Sequence, residues 1–353
     1  MKKIISFPHL GPYYIPIAYM IKCMTKCDII IPKHNKETIL LGSKYSPSDI
    51  CMPFKYNLGN YISALSEGAN ILIQAGGGCR YGYYAELQEQ ILKSLNYKFK
   101  FINLIKDNHI SIIKLYKEMK LINNKLTIFS FLYYFIQGML IIIFTDKIRK
   151  YIRENKAKST DKKMFDTIYK QLEKSYTKDK LTISKIIKIY LSSKQKLTKI
   201  KLNNDDKIIK ILIVGELYTI IDSNANNDLE NKLLSNNIIL YRYTDLTYLL
   251  ITKLFTNKNM LNQSKKYIKY HLGADATKTI YHSIKHCKQS IDGIIHIKSF
   301  GCVPEINAMP ILNQINNEYK IPILYLSYDA ENNISNIDTK LEAFYDMIKS
   351  KKQ

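Results

Sequence analysis

The segment from Asn70 to Glu89 constrains the fold most, because an apolar run leads through three glycines into a helical pattern that starts near Tyr83. A short apolar run bounded by glycine predicts a buried strand, so the glycines form a strand-to-helix turn. Cys79 lies on this turn. Glycine lets a backbone approach a bound group closely, and the first amides of the next helix point at that group. The turn therefore suits an anion, a phosphate or a sulfide-rich cluster.

Strand patterns alternate with helical patterns in both halves of the chain, which is typical of parallel α/β sheets. We expect strands at residues 3–7, 28–31, 38–42, in the apolar run before the three glycines, and at 98–104, 208–214, 238–241, 293–297 and 321–326. We expect helices near residues 15–26, 52–67, 83–95 and 336–350. The length of 353 residues fits about two domains plus an insertion. The predicted division is a first α/β domain at 1–106, a helical insertion or cap at 107–205, and a second doubly wound α/β domain at 206–353.

The predicted insertion contains one long apolar stretch, Leu126–Phe144, which has no charged residue. At about 1.5 Å per residue it would nearly span a bilayer core. However, Thr127, Ser130 and Gln137 interrupt it, and lysines lie on both sides. We interpret it as a helix buried in the protein, with a single membrane span as the alternative.

The formal net charge of +23 raises nucleic acid or an anionic membrane as partners. Lysine is spread over the whole chain and arginine is scarce, so the pattern favours solvated lysines over a nucleic-acid surface. A basic rim would still attract coenzyme A phosphates or an acidic redox partner. The N-terminal residues lack the apolar core of a signal peptide, because Pro8 and Gly11 interrupt it, so we expect a cytoplasmic protein with reduced thiols.

Three of the six cysteines, Cys51, Cys79 and Cys302, lie on turns between regular elements. Thiolates are the usual ligands of iron-sulfur clusters, and three on a four-iron cluster leave one iron open. The alternative is three ordinary buried cysteines, because Cys packs as a small apolar residue. Cys23 and Cys27 share one face of a predicted helix, where they either ligate a metal or pack in the core. Cys287 has no assigned role.

A set of motifs in chain order resembles the 2-hydroxyacyl-CoA dehydratase D-component superfamily, and within it the activase-related (CoA-enzyme-activase) branch. The motifs are Pro8-His-Leu-Gly, Leu41-Gly-Ser-Lys-Tyr-Ser-Pro, Cys51-Met-Pro-Phe-Lys55, Leu58-Gly-Asn60, Gly76-Gly-Gly-Cys79-Arg-Tyr-Gly-Tyr-Tyr84, Gln88, Ile91-Leu92, Gly215-Glu-Leu-Tyr218, Phe300-Gly-Cys-Val-Pro-Glu305 and Thr339-Lys-Leu-Glu-Ala-Phe344. They cover nearly the whole chain and are weakest in the helical middle.

The resemblance implies two Rossmann-like domains around a 4Fe-4S cluster, with Cys51, Cys79 and Cys302 as its ligands. It implies an ATP-hydrolysing activator of the actin and sugar-kinase fold as partner, which injects one electron at low potential. In such dehydratases the cluster reduces a thioester carbonyl of an acyl-CoA to a ketyl radical, which eliminates the hydroxyl. The enzyme expectation is therefore a dehydratase-like lyase or a cluster-dependent reductase component, as a homo- or heterodimer, without nucleic acid or membrane as partner.

Other residues near the predicted site have one or two interpretations. Glu216 and Glu305 either exchange protons with a substrate or serve as a helix cap or lysine partner. Gly76, Gly77 and Gly78 let amides approach the cluster. Arg80 neutralises cluster charge or holds a coenzyme A phosphate. Two other functions remain open: a non-catalytic electron-transfer or scaffold subunit, and an ATP-dependent reductase of another small molecule.

Overall fold

Two four-stranded parallel sheets form the framework of the chain. The computed structural model describes residues 2–75, 79–106, 109–178, 180–203, 208–249, 257–330 and 334–352. The chain divides into two units: one comprises residues 1–142 and 176–186, and the other comprises residues 143–175 and 187–353. Each unit contains one of the sheets, so the chain has a mixed α/β fold.

The first unit begins with a strand and alternates between the two kinds of element. In chain order it contains β1 (Ile4–Ser6), α1 (Tyr14–Thr25), β2 (Asp28–Ile30), α2 (Lys36–Tyr45), α3 (Met52–Ser66), β3 (Ile71–Gln74), a 3-10 turn (Arg80–Tyr83) that runs into α4 (Tyr84–Ser94), β4 (Lys100–Asn103), the short antiparallel strands β5 (Ile105–Lys106) and β6 (His109–Ile110), and α5 (Ile112–Ile122). Helix α6 (Ile128–Asn155) starts in this unit and ends in the other.

The first sheet has the strand order β2-β1-β3-β4 and carries apolar side chains on both faces. Successive side chains of a strand point to opposite faces. Ile71 and Ile73 accordingly pack with residues of α1, α5 and α6, whereas Leu72 packs with residues of α3 and α4. Burial on both faces explains why the strand at 71–73 is uniformly apolar in sequence.

The prediction of a strand at residues 38–42 is wrong, because these residues belong to α2. Asn35 caps this helix: its side chain accepts a hydrogen bond from the Thr38 amide at 3.0 Å, and Thr38 Oγ1 accepts one from the Asn35 amide. This reciprocal capping satisfies amides that a helix start leaves without partners. The other predicted strands and helices of this half are confirmed, within a few residues at their ends.

The segment predicted as a helical insertion contributes helices to both units. After α6 come α7 (Lys162–Tyr176) and α8 (Ile183–Thr198). Among the described residues, one helical stretch of 31 residues, Ile128–Lys158, is long and apolar enough to cross a membrane. Within its apolar segment of 18 residues, 33% is buried inside the protein. The prediction of a helix buried in the protein therefore holds for only part of α6.

The second unit repeats the alternation after α8. It contains β7 (Ile209–Gly215), α9 (Leu217–Ile221), α10 (Leu229–Ser235), β8 (Ile238–Arg242), α11 (Asn257–Gln263), α12 (Ala276–Cys287), β9 (Gly293–Ser299), α13 (Val303–Tyr319), β10 (Ile323–Tyr328) and α14 (Ile334–Lys352). The strand order is β10-β9-β7-β8. Numbered from its own first strand, this sheet has the same order, 2-1-3-4, as the first.

Both faces of the second sheet are also covered. Leu212, Val214 and Ile294 pack with residues of α12 and α13 in one core cluster. Side chains of α14 lie against Gly293 at the start of β9, where an added Cβ would stand 2.7 Å from Ile348 Cδ1. In a 2-1-3-4 order the connections change direction between the first and third strands, and ligands bind such sheets at the carboxyl ends of those strands.

Buried ion pairs fasten the C-terminal half of α6 to β8 and α10 within the second unit. Arg153, whose side chain is 1% exposed, contacts Asp245 at 2.7 Å, and Arg242 contacts both Asp245 and Glu230 at 2.6 Å. The neighbouring arginines outweigh the effect of burial and lower the pKa of Glu230 to about 2. Both carboxylates are therefore charged throughout the neutral pH range.

Candidate functional site

Cys79 follows the third strand of the first sheet and opens the 3-10 turn that leads into α4. Its side chain is exposed. The Tyr81 amide donates a hydrogen bond to Cys79 Sγ at 3.4 Å, so the thiol sulfur takes the position of a helix cap. The three glycines before it, Gly76, Gly77 and Gly78, lie outside the described residues. Their predicted role therefore stays a prediction.

Cys51 opens α3 in the same unit, again at the residue before the first turn of a helix. Its thiol contacts the hydroxyl group of Tyr84 at the start of α4. Tyr84 also interacts electrostatically with Cys79, so this one side chain interacts with both cysteines. Burial raises the pKa of Tyr84 far above its ordinary value. The hydroxyl group thus keeps its proton, and it is the donor when Cys51 is a thiolate.

Several residues of the resembling motifs hold Tyr84 and its neighbours in place. The ring of Phe54 meets the Tyr84 ring edge-on at 4.9 Å, and the Tyr81 ring lies 5.0 Å away. Gln88 Nε2 donates to the Phe54 carbonyl at 3.2 Å, and Asn57 Nδ2 donates to the Tyr81 hydroxyl at 2.7 Å. These contacts explain why α3 and α4 carry aromatic and amide residues next to the two cysteines.

Arg80 supplies positive charge at the same position. It is exposed and directly follows Cys79. Its positive charge lowers the pKa of Tyr84, but burial raises that pKa by more. A positive charge beside a thiol stabilises its thiolate form. Its two predicted roles, neutralising cluster charge and holding a coenzyme A phosphate, stay predictions.

Cys302 belongs to the second unit and occupies the equivalent position there. It follows β9 and is the N-cap residue of α13, and its amide donates to the Ser299 carbonyl at 3.0 Å. Lys298, at the end of β9, interacts electrostatically with both Cys302 and Glu305. Burial lowers the pKa of Lys298, whose ammonium donates to the Phe300 carbonyl at 3.2 Å. The sequence alone gave no signal for this lysine.

The other three cysteines have different surroundings. Cys23 lies inside α1, and Cys27 follows that helix with its sulfur 3.6 Å from the Thr25 carbonyl oxygen. Cys287 is buried at the end of α12, where burial raises the pKa of its thiol to about 12. Such a thiol stays protonated, which makes it a core residue rather than a ligand. Only the three cysteines predicted as ligands are N-cap residues.

Glu216 follows β7, the first strand of the second sheet, and caps α9. Its carboxylate accepts hydrogen bonds from the amides of Tyr218 at 2.7 Å and Thr219 at 3.0 Å. The helix-cap interpretation is thereby confirmed. Burial raises the pKa of Glu216 to about 7 against the effect of these bonds, and the nearby Asp275 raises it further. A carboxyl group with this pKa exchanges protons near neutral pH.

Glu305 is buried on α13, one turn after Cys302. Its carboxylate lies 2.8 Å from His296 Nε2 and accepts a hydrogen bond from Thr279 Oγ1 at 3.2 Å. The Thr279 hydroxyl in turn lies 3.1 Å from the hydroxyl of Tyr243. The hydrogen-bond partners of Glu305 are thus a histidine on β9 and a threonine on α12, rather than the lysine that was one of the alternatives. These side chains form a continuous buried hydrogen-bonded path next to the start of α13.

The described part of the chain thus places its candidate residues at corresponding positions of two sheets. Cys79 follows the third strand of the first sheet, whereas Glu216 and Cys302 follow the first and third strands of the second. The sequence identified these residues, and Tyr84 as the last residue of a resembling motif, but it gave no signal for the contact of Tyr84 with Cys51, for Lys298 or for Asp275. Comparison of the chain with protein-family models and with curated proteins finds no match.

Proposed function

We propose that this chain is an iron-sulfur protein of the 2-hydroxyacyl-CoA dehydratase type. Cys51, Cys79 and Cys302 ligate a 4Fe-4S cluster, and the two α/β units are Rossmann-like domains that supply these ligands. The protein works in the cytoplasm, accepts electrons from an ATP-hydrolysing activator of the actin and sugar-kinase fold, and acts on an acyl-CoA.

The observation that carries the proposal is the shared position of the three cysteines. Each is the N-cap residue of a helix or helical turn and is exposed or half-buried. The amides at a helix start and the positive end of its dipole favour an anionic sulfur. Cys23, Cys27 and Cys287 lack this position. Sulfur donors of this kind fit an iron-sulfur cluster, which also accepts hydrogen bonds from nearby amides.

The residues around the cysteines have defined roles under this proposal. A bound cluster would supply one-electron transfer at low potential. Tyr84 donates a hydrogen bond to the Cys51 sulfur, and Arg80 offsets negative charge at Cys79. Glu216, with a pKa of about 7, holds a proton close to neutral pH. Glu305 is held in one orientation by His296 and Thr279, so it presents a fixed carboxylate near Cys302.

Anaerobic reconstitution with iron and sulfide tests the cluster. We expect the wild-type chain to show the electron paramagnetic resonance signal of a reduced 4Fe-4S cluster. Cys79→Ala and Cys302→Ala should each lose or strongly reduce it. Cys27→Ala is the matched control and should retain the full signal. A wild-type chain without a cluster, or an unchanged signal in Cys79→Ala, would refute the proposal.

A second experiment separates the substrate from the cluster. The reconstituted protein, reduced by an activator with ATP, is offered 2-hydroxyacyl-CoAs, and the reoxidation of the cluster and the release of the 2-enoyl-CoA are measured. Dehydration of the acyl-CoA supports the full proposal. Cluster oxidation by other acceptors alone would identify a reductase of another small molecule, and stable binding of the activator without turnover would identify an electron-transfer subunit.

A further inference from the structure

Helix α6 exposes a stripe of apolar residues in the first unit. Its members and their exposed fractions are Ile128 50%, Phe129 80%, Leu132 44%, Tyr133 40% and Ile136 47%. Positions three and four residues apart lie on the same side of a helix, so these five residues form one continuous face over two turns. Contiguous water-exposed apolar faces mark surfaces that bind something apolar.

The neighbouring helix α5 also exposes apolar residues. It exposes Ile112 at 50%, Ile113 at 71% and Leu121 at 70%. The two helices share a core, because Met119 of α5 and Phe131 of α6 belong to one buried cluster, and the Tyr116 and Phe131 rings lie 5.2 Å apart. The exposed apolar residues of α5 and α6 are called the apolar face below.

Positive charge accompanies the apolar face. Between residues 109 and 145 the sequence contains four lysines and a single acidic residue, Glu118. Glu118 pairs with Lys100 of β4 at 2.8 Å, so its charge is neutralised within the unit. Lys117, Lys120 and Lys125 are exposed on α5 and on the turn that follows it. The apolar face is therefore bordered by lysines.

We propose that the apolar face binds the surface of an anionic membrane, with α5 and the first half of α6 lying in the headgroup region. Apolar side chains that enter the acyl boundary, flanked by lysines that reach lipid phosphates, are the features that hold interfacial helices. Lysine side chains are long enough to leave their ammonium groups in the polar layer. This surface contact is independent of the proposed cluster.

Two other arrangements fit these observations less well. A second copy of the chain would bring the same lysines against one another, which opposes association. A full membrane span would require lipid around the whole helix, yet Phe131, Ile141 and Ile142 are buried within the folded chain. Binding along one side leaves these residues in place.

Vesicle flotation with the purified full chain tests the proposal. The probes are vesicles of phosphatidylcholine alone and vesicles in which about a third of the lipid is phosphatidylserine. We expect the wild type to float with the anionic vesicles and not with the neutral ones. Phe129→Glu and Lys117→Glu should each reduce the bound fraction several-fold. Leu191→Glu, at a leucine of α8 that is 54% exposed, is the matched control and should bind as the wild type does.

Circular dichroism spectra and melting curves establish that the variants are folded. Because Phe129 and Lys117 are exposed, their substitution leaves the core intact. No flotation of the folded wild type with anionic vesicles would overturn the proposal. A wild-type dimer that Phe129→Glu dissociates, together with no vesicle binding, would also overturn it and would assign the face to a second copy. Equal loss of binding in Leu191→Glu would show that the apolar face is not the contact.

Discussion

Gly42 of α2 and Gly59 of α3 pack against each other's helix backbone. A Cβ atom on Gly42 would stand 1.7 Å from the carbonyl oxygen of Lys55, and one on Gly59 would stand 2.0 Å from that of Thr38. Neither backbone can move away without shifting its helix. The two glycines therefore set the distance between α2 and α3, and α3 begins directly after Cys51.

Gly59→Ala should destabilise the protein. A methyl group forced against a helix backbone causes a shift of one helix, at about 2 kcal/mol, which exceeds the gain of about 1 kcal/mol that alanine gives inside a helix. We expect a lower free energy of unfolding in urea and a smaller cluster yield after reconstitution. Ser63→Ala, in the same helix, is the matched control, because it adds no atom against a neighbouring backbone. Equal losses in both variants would contradict the backbone argument.

Tyr84→Phe should lower the reduction potential of the proposed cluster. With Cys51 as the proposed thiolate ligand, the Tyr84 hydroxyl that contacts it is the donor, and hydrogen bonds to cluster sulfurs stabilise the reduced, more negative state. The phenylalanine ring keeps the packing with Phe54, so we expect a stability loss of only about 1 kcal/mol. A redox titration followed by electron paramagnetic resonance measures the potential. Tyr83→Phe, at an exposed tyrosine, is the control; an unchanged potential in Tyr84→Phe would contradict the prediction.

Glu216 should make the protein less stable as the pH rises. Burial raises its pKa in the folded protein from 4.5 to about 7, so the folded state holds this proton more tightly than the unfolded state does. The contribution is complete below pH 4.5 and is lost as the pH rises through about 7, with a total on the order of 3 kcal/mol. Urea unfolding at a series of pH values should show this decline in the wild type and not in Glu216→Gln. Parallel pH profiles of the two proteins would refute it.

Glu230 should have the opposite pH dependence. Arg242, Arg149 and Arg153 lower its pKa from 4.5 to about 2, so its stabilising effect is present above pH 4.5 and is lost as the pH falls toward 2. Glu230→Gln removes one of the two carboxylates that the buried Arg242 contacts, so we expect a loss of about 3 kcal/mol at neutral pH and a smaller further loss of stability as the pH falls. Glu89→Gln, in a surface pair with Lys93, is the control and should cost less than about 1 kcal/mol. If the free energy of unfolding fell as steeply with decreasing pH in Glu230→Gln as in the wild type, the prediction would be contradicted.

Most regular elements follow directly from local patterns. The uniformly apolar strands and the alternating helices predicted the two parallel sheets, because buried strands and amphipathic helices carry distinct periods. Residues 38–42 misled the prediction, since Thr38 and Ile39 favour strands in isolation. The decisive information lay outside this segment, in the cap at Asn35 and in Gly59 of α3, whose missing side chain lets the backbones of α2 and α3 approach. Propensity is a weak guide where neighbouring helices pack this closely.

The sequence by itself determined the alternation of elements and the turn positions of Cys51, Cys79 and Cys302, because glycine turns and apolar runs act over a few residues. Only the tertiary structure decided which groups meet these residues. The contact between Tyr84 and Cys51 joins residues 33 positions apart, and His296 reaches Glu305 from a different element. The same holds for α6, whose apolar composition predicted burial. Whether the apolar residues of α6 are covered depends on the surface that neighbouring helices offer, and a local sequence pattern does not predict that surface.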